Sequence, residues 1–304
     1  MYEHLTKLSD TKKIDPWEAK QEIAEIRVSL HCSRYWMLSE WECENMSFPF
    51  WRLYHSCTGG SYVTFNKLEY ELDNDKIILI PPYTSFSTHI KARTVKQEES
   101  IVGEIIRNMA EVDFFREKGL CDQFFVHFNL GFPYDKFKAC IYEIELNEYW
   151  LSLINKVKID RLEFPNNISI HSAIDINCLI LYALSSISIG NWELPIIDKR
   201  ILKAITYIDK NIDKELTNEQ LSKIANLATN SFARLFKSEL KGTVKNYIQQ
   251  RRIEHAIMKL HHSSKDIEDI ALACGYYDRH HFSKVFKQQT GIPPAKYRLK
   301  IGMK

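Results

Sequence analysis

No apolar run in these 304 residues approaches the ~20 that a bilayer-spanning helix requires. The first residues are polar (Glu3, Lys7, Asp10, Lys12, Lys13), so no secretory leader is expected there. Cysteine occurs seven times, an odd number without a disulfide framework, which suits a reducing cytoplasm. Cys32, Cys43 and Cys57 stand 11 and 14 apart, which is no zinc-site pattern. Paired carboxylates, a glycine-rich phosphate loop, a nucleophile elbow and a His-x-His followed by Glu are all missing. On these absences the chain is expected not to be an enzyme and to hold no cofactor or metal. His55, His89, His127 and His171 are isolated in sequence and are expected to be buried, hydrogen-bonded side chains rather than ligands.

A large net charge is also lacking, at +2 overall, but its distribution is uneven. Residues 196–304 hold 21 Lys and Arg against 11 Asp and Glu, a net of +10, while the remainder holds 20 against 28, a net of −8. A basic C-terminal part beside an acidic N-terminal part suggests that only the former meets a polyanion.

Within the basic part a short pattern occurs twice. The first copy runs Leu221-Ser222-Lys223-Ile224-Ala225-Asn226-Leu227, then Phe232-Ala233-Arg234-Leu235-Phe236-Lys237, and closes at Gly242. The second runs Ile270-Ala271-Leu272-Ala273-Cys274-Gly275-Tyr276, then Phe282-Ser283-Lys284-Val285-Phe286-Lys287, and closes at Gly291. Each reads as a short helix, a tight turn and a second helix, the order of a helix-turn-helix. Phe232, Leu235 and Phe236 share one stripe by their i, i+3, i+4 spacing, as do Phe282, Val285 and Phe286. The opposite faces then carry Asn230, Ala233, Arg234 and Lys237 in one copy, and Arg279, His280, Ser283, Lys284 and Lys287 in the other, with Asp278 as N-cap. Arg234 and Arg279 have the fork that reads guanine, Asn230 can read adenine, and Ala233 offers a methyl contact to thymine. Lys237 and Lys287 suit phosphate, which positions without specifying. Val244 to His262 reads as one helix of about 28 Å, close to the ~34 Å between major grooves on one DNA face. Ile253, Ala256, Ile257 and Leu260 are expected to pack against the flanking units, and Arg252 to make an internal ion pair.

The stretch from about Ile201 to Arg298 resembles the DNA-binding domain of the AraC/XylS family of bacterial transcription regulators. The residues carrying the resemblance are Tyr207-Ile208, Leu221 to Ala225, Phe-Ala-Arg-Leu-Phe-Lys at 232–237, Tyr247-Ile248 and Arg252-Ile253-x-x-Ala256. They continue through Ile270-Ala271, Gly275-Tyr276, 282–287, Gly291-Ile292-Pro293-Pro294 and Tyr297-Arg298. In one departure Ala228 stands where the family often has Ser, and Thr229 is expected to cap the helix instead.

Residues 1–30 read as polar and helical, with Ile23, Ile26 and Leu30 on one stripe. From His31 to Phe65 the chain is dense in aromatics and β-formers, and Lys76 to Ile80 ends at Pro81-Pro82 as a short strand. Residues 91–122, with Ile101, Ile105, Ile106 and Met109 at helical spacing, read as an insertion or lid. Strand texture returns at Phe124 to Asn129 and at Ala139 to Ile144, and Ile168 to Ile187 reads as helix. Short strands at this spacing suggest a sandwich or small barrel, and this half resembles the cupin-like effector domain found before many such DNA-binding domains. Arg34, Trp36, Trp41, Trp51, Arg52 and Tyr54 are candidates to line an effector pocket that stacks a sugar or other flat ligand.

The expected fold is thus α+β and multidomain: a cupin-like β-barrel with flanking helices, then an all-α domain of two helix-turn-helix units joined by a long helix. The expected divisions are 1–187 for effector binding and dimerisation, 188–197 as linker, and 198–304 for DNA. The resemblance implies a cytoplasmic homodimer that binds double-stranded promoter DNA and a small-molecule effector, and RNA polymerase if it activates. Two alternatives stay open: a DNA-binding regulator triggered by thiol or metal chemistry at Cys32, Cys43 and Cys57, and a metal-dependent cupin enzyme with an auxiliary basic domain.

Overall fold

The computed structural model describes residues 26–90 and 100–300. Among these, nine antiparallel strands curl into a barrel: β1 (Ser29–Met46), β2 (Trp51–His55), β3 (Ser61–Phe65), β4 (Leu68–Leu72), β5 (Lys76–Ile80), β6 (Phe86–Ile90), β7 (Ser100–Ile105), β8 (Cys121–Asn129) and β9 (Tyr142–Glu145). They are ordered β4-β3-β6-β1-β8-β2-β5-β9, with β7 also paired to β1. The 18-residue β1 is the spine, pairing with β8 along its first half, β7 in its middle and β6 at its end. Helices α1 (Met109–Glu117), α2 (Glu148–Glu163) and α3 (Ile170–Ser185) belong to this half. The C-terminal part is all helix: α4 (Lys199–Lys210), α5 (Asn218–Ile224), α6 (Thr229–Leu240), α7 (Val244–His262), α8 (Ile267–Ala273), α9 (Arg279–Thr290) and α10 (Pro294–Lys300). This is the α+β arrangement expected.

Strand alternation sorts the barrel residues onto two faces. Trp51 and Leu53, Ile77 and Leu79, and Phe124, Val126 and Phe128 share a core with Ile154 and Val157 of α2 and Ile176, Leu179, Ile180 and Ala183 of α3. Their neighbours Tyr54, Ile78, Ile80 and Phe125 point the other way, into the barrel. Strands covered on both faces read as continuous apolar runs, which is why Lys76–Ile80 and Phe124–Phe128 stood out. Register shifts in β1 at Leu30/Cys32 and Leu38/Glu40, followed by a third at Cys43/Met46, change which parity faces in. Leu30 packs on the helix side, whereas Cys32, Trp36 and Leu38 face the interior, and beyond the second shift Trp41 and Cys43 do so.

Several expectations are corrected. Residues 100–105 form β7, not a helix, because pairing with the middle of β1 overrides the helical spacing of Ile101, Ile105 and Ile106, and only Met109 enters a helix. The unpredicted helix α2 covers the barrel, started by Asn147, whose side chain accepts from the Trp150 N–H. Leu30 lies in β1 rather than on a helical stripe with Ile26; Ile23 and the rest of 1–25 lie outside the described residues, as do 91–99.

One buried ion pair fastens α2 to the barrel. Lys158 Nζ lies 3.0 Å from Asp122 Oδ2 and 3.1 Å from Cys57 Sγ, while Asp122 Oδ1 accepts from Ser56 Oγ and the Cys57 and Thr58 N–H groups at 2.7–3.1 Å. Burial alone would raise the Asp122 carboxyl, but Lys158 and these donors outweigh it and hold it at about 2. Lys158→Met is expected to cost about 3–5 kcal/mol by leaving a buried carboxylate unpaired, with Asp122→Asn/Lys158→Met recovering much of it in urea unfolding. Because the folded-state value is depressed, Asp122's contribution is complete above about pH 4 and is lost as pH falls towards about 2.

Candidate nucleic-acid interface and barrel pocket

The two helix-turn-helix units are α5–α6 and α8–α9. Thr217 starts α5 through a reciprocal capping box with Gln220, and Asp266 and Asp278 cap α8 and α9 by accepting from the Asp269 and His281 N–H groups. Helix α6 begins at Thr229 behind Ala228, which has no oxygen with which to cap. Thr229 therefore does not replace the missing Ser; its hydroxyl lies 3.2 Å from Ser222 Oγ. Phe232, Phe236, Phe282, Val285 and Phe286 are buried, and Leu235 is partly so. Asn230, Arg234, Lys237, Arg279, His280, Lys284 and Lys287 are exposed, and Ala233 and Ser283 are half-buried. All nine candidate DNA-contacting residues therefore lie at or near the surface, on the side of their helices away from the phenylalanines.

Helix α7 divides its apolar face between the units. Val244 and Ile248 join the core of the first; Ile253, Ala256, Ile257 and Leu260 join that of the second. Arg252 does pack internally, but its partners are carbonyls: it donates to Ile212 O at 3.1 Å and Lys214 O at 2.7 Å. The ion pair belongs to Arg251, held by Asp209 at 2.8 Å and by Glu254, which also accepts from the Tyr83 hydroxyl of the barrel. The turn residues Asn226 and Gly275 occupy equivalent places and both have positive φ, at 53° and 78°. The first unit closes through Lys241 in the left-handed region rather than through Gly242, whereas Gly291 closes the second as expected.

Inside the barrel a cavity of about 60 Å³ is lined by residues including Trp36, Trp41, Arg52 and Tyr54. Four of the six candidate effector residues thus meet. Trp51 does not: as the odd neighbour of Arg52 it faces the helices, stacks on Phe128 and donates to Asp135 at 3.0 Å. Arg34 stands outside the lining, 5.8 Å from the Trp36 ring centre. Sequence reasoning missed Gln123, Phe125, His127 and above all His261, which arrives from the end of α7. The supposedly isolated His127 sits in a cluster with His31, His261 and His262 around Phe50. Burial first, then Arg52 and the neighbouring imidazoles, hold His127 and His261 far below the usual imidazole range, and burial, His31 and Arg52 lower His262 to about 3. Neutral rings fix the proton positions. His262 Nδ1 donates to Met258 O at 2.9 Å, so its Nε2 accepts, at 2.9 Å, from His127 Nδ1. His127 Nε2 is then a buried nitrogen without a partner among the described residues.

The fold does not gather the three cysteines proposed as a trigger. Cys32 faces the histidines, with its thiol pushed up to about 12 mainly by burial. Cys57 is engaged by Lys158, and Cys43 lies among the barrel aromatics.

A helix-turn-helix domain family matches residues 221–300. The regulatory protein SoxS of Escherichia coli is 32% identical over 34% of this chain and 96% of its own length. The transcriptional activator RhaS of Mannheimia succiniciproducens is 30% identical over 40% of this chain and 47% of its own length. Among solved structures, the C-terminal domain of AraT, a response regulator of Geobacillus stearothermophilus, is 28% identical over 36% of this chain and 90% of that one, with a TM-score of 0.34. The chain spans less than half the length of the first curated relatives it matches.

A Cβ on Gly275 would lie 2.6 Å from Arg252 Nη2 and 2.8 Å from Ile212 O, at a positive φ. Gly275→Ala is expected to destabilise by more than about 1 kcal/mol. Lys241→Gly, which relieves left-handed strain with no such contact, should stabilise by about 1 kcal/mol; thermal unfolding of both variants checks the contrast.

Proposed function

Because this chain belongs to the AraC/XylS family of transcription regulators, we propose that it is a sequence-specific DNA-binding regulator, not an enzyme, whose barrel senses a small molecule. Residues 198–304 read promoter DNA, 1–187 sense and dimerise, and 188–197 connect them. The observation that carries the reading is the pair of helix-turn-helix units, each with exposed polar and cationic groups on its second helix, joined by one 19-residue helix. No helix among the described residues is long and apolar enough to cross a membrane.

The pocket supplies a coupling. Sites for sugar-sized ligands are roughly 300–1,000 Å³, and a cavity of about 60 Å³ is far smaller. His261 is the lining residue that belongs to α7, so a ligand entering beside Trp36, Trp41, Arg52 and Tyr54 displaces it and with it the end of the helix that carries the second unit. Such a ligand prefers the displaced arrangement and shifts the population towards it. For the dimer, α3 offers Ile170, Ile174, Cys178 and Leu181 along one exposed stripe, opposite its buried face.

Selection of bound duplex from a random pool is expected to yield a bipartite site. Arg234→Ala should relax preference at one base pair at a cost of about 1–3 kcal/mol, whereas Lys237→Ala should weaken all sequences alike and lower the salt slope by about one. Loss of sequence preference in the unaltered protein would overturn the reading. Ile174→Lys with Leu181→Lys should convert the dimer to monomer in light scattering and leave the thermal unfolding of the barrel nearly unchanged.

A further inference from the structure

We propose that Cys32, His127 and His262 form a binding site for a zinc-class metal ion that ties the end of α7 to the barrel wall. Each residue offers one ligand atom, and the three atoms lie within 4.8 Å of one another. Tetrahedral zinc with bonds of ~2.0–2.3 Å sets its ligand atoms about 3.3–3.8 Å apart, so the two imidazole nitrogens, 2.9 Å apart, open slightly while the longest separation contracts by up to about 1 Å. The residues come from three separate elements: β1, β8 and α7. Cys32 reaches the site because the register shift at Leu30/Cys32 sets it opposite His127 and turns it inward, the kind of re-aiming that bulges supply beside functional sites.

The ligand chemistry agrees with the geometry. One thiolate and two imidazoles suit zinc and leave a fourth position open. His262 already donates its Nδ1–H to the Met258 carbonyl, which fixes the ring with its Nε2 lone pair towards the cluster, as metal-bound histidines are fixed. His127 Nε2, buried and unpartnered among the described residues, is where the ring proton can go when Nδ1 takes the ion. On binding, the ion replaces the proton shared by the two imidazoles, which moves to His127 Nε2, and the Cys32 thiol releases its proton to solvent. The resulting thiolate offsets the Arg52 cation, which pairs across the strands with His127. Ion binding stands on these residues alone. Its consequence, that the ion holds α7 in the barrel and opposes an effector that displaces His261, rests on the regulator reading.

The test uses the full chain, stripped with chelator and titrated with Zn²⁺ alone against a chromogenic competitor, and with Co²⁺ for its thiolate charge-transfer absorption. One ion per chain is expected, with Kd on the order of 1 μM or tighter. Cys32→Ser should abolish the cobalt–thiolate band, and His262→Gln should weaken binding tenfold or more. Cys43→Ser, in the same buried core, should retain both band and affinity. Zn²⁺ should also raise the Tm of the unaltered protein but not that of His262→Gln, a half-buried position whose variant decides the matter if Cys32→Ser fails to fold. No binding at millimolar ion, an intact band in Cys32→Ser, or undiminished affinity in His262→Gln overturns the proposal. DNA selection that succeeds while ion binding fails removes the site and leaves the regulator, and the converse result leaves the site and removes the regulator.

Discussion

The burial of one helix end inside a barrel governs how the two halves of this protein relate. Helix α7 delivers His261 against Phe48 and Phe50, with ring centres 4.6 and 5.3 Å apart, and His262 against His127. Imidazole charged in that position would be costly, since burial, Arg52 and the other rings all oppose the proton. The contact therefore depends on both rings being neutral. It makes the core of the second helix-turn-helix unit continuous with the barrel interior, so that Phe282 and Phe286 belong to the same cluster of packed residues as Tyr54 and Phe125.

The register shifts in β1 are what make such a barrel interior possible. An unbroken strand of 18 residues would hold one parity throughout and could not present Cys32, Trp36, Leu38, Trp41 and Cys43 to one packed interior while keeping Leu30 on the helix side. Each shift moves the inward set by one residue. Cross-strand pairing then places Cys32, His127 and Arg52 in one row across β1, β8 and β2. That row brings a thiol, an imidazole and a guanidinium to the place where α7 arrives.

These arrangements were unequally legible in the sequence. The recognition helices were readable because their signal is local: Phe232 and Phe236, and Phe282 and Phe286, repeat at helical spacing within a few residues, and the pattern is doubled. The limits of α7, Val244 and His262, were readable for the same reason. Continuous apolar and aromatic runs likewise marked β2, β5 and β8. What stayed hidden depends on contacts between distant residues. Nothing near His261 or His262 signals that they meet His127, 135 residues from His262. The apolar spacing of Ile101, Ile105 and Ile106 suits a helix until β1 supplies a partner strand. Helix α2 carries exposed Tyr149 and Ile159 beside buried Lys158 and Arg161, which blurs the periodicity that would have announced it.

The fixed separation of the recognition helices depends on how little freedom α7 retains. Arg252 donates to the carbonyls of Ile212 and Lys214, which enter the first unit, while its guanidinium crowds Gly275 at the turn of the second. One side chain thereby touches both units, and the two carbonyls satisfy donors that a less enclosed arginine would leave to solvent. One turn-step away Arg251 is held by Asp209 and Glu254, and Glu254 in turn accepts from Tyr83 of the barrel. The same stretch of helix is thus bonded to the first unit, packed on the second and joined to the barrel. A rigid rod anchored at three places transmits a displacement of its end as a rotation of what it carries, because packed interfaces shift between discrete arrangements rather than deforming continuously.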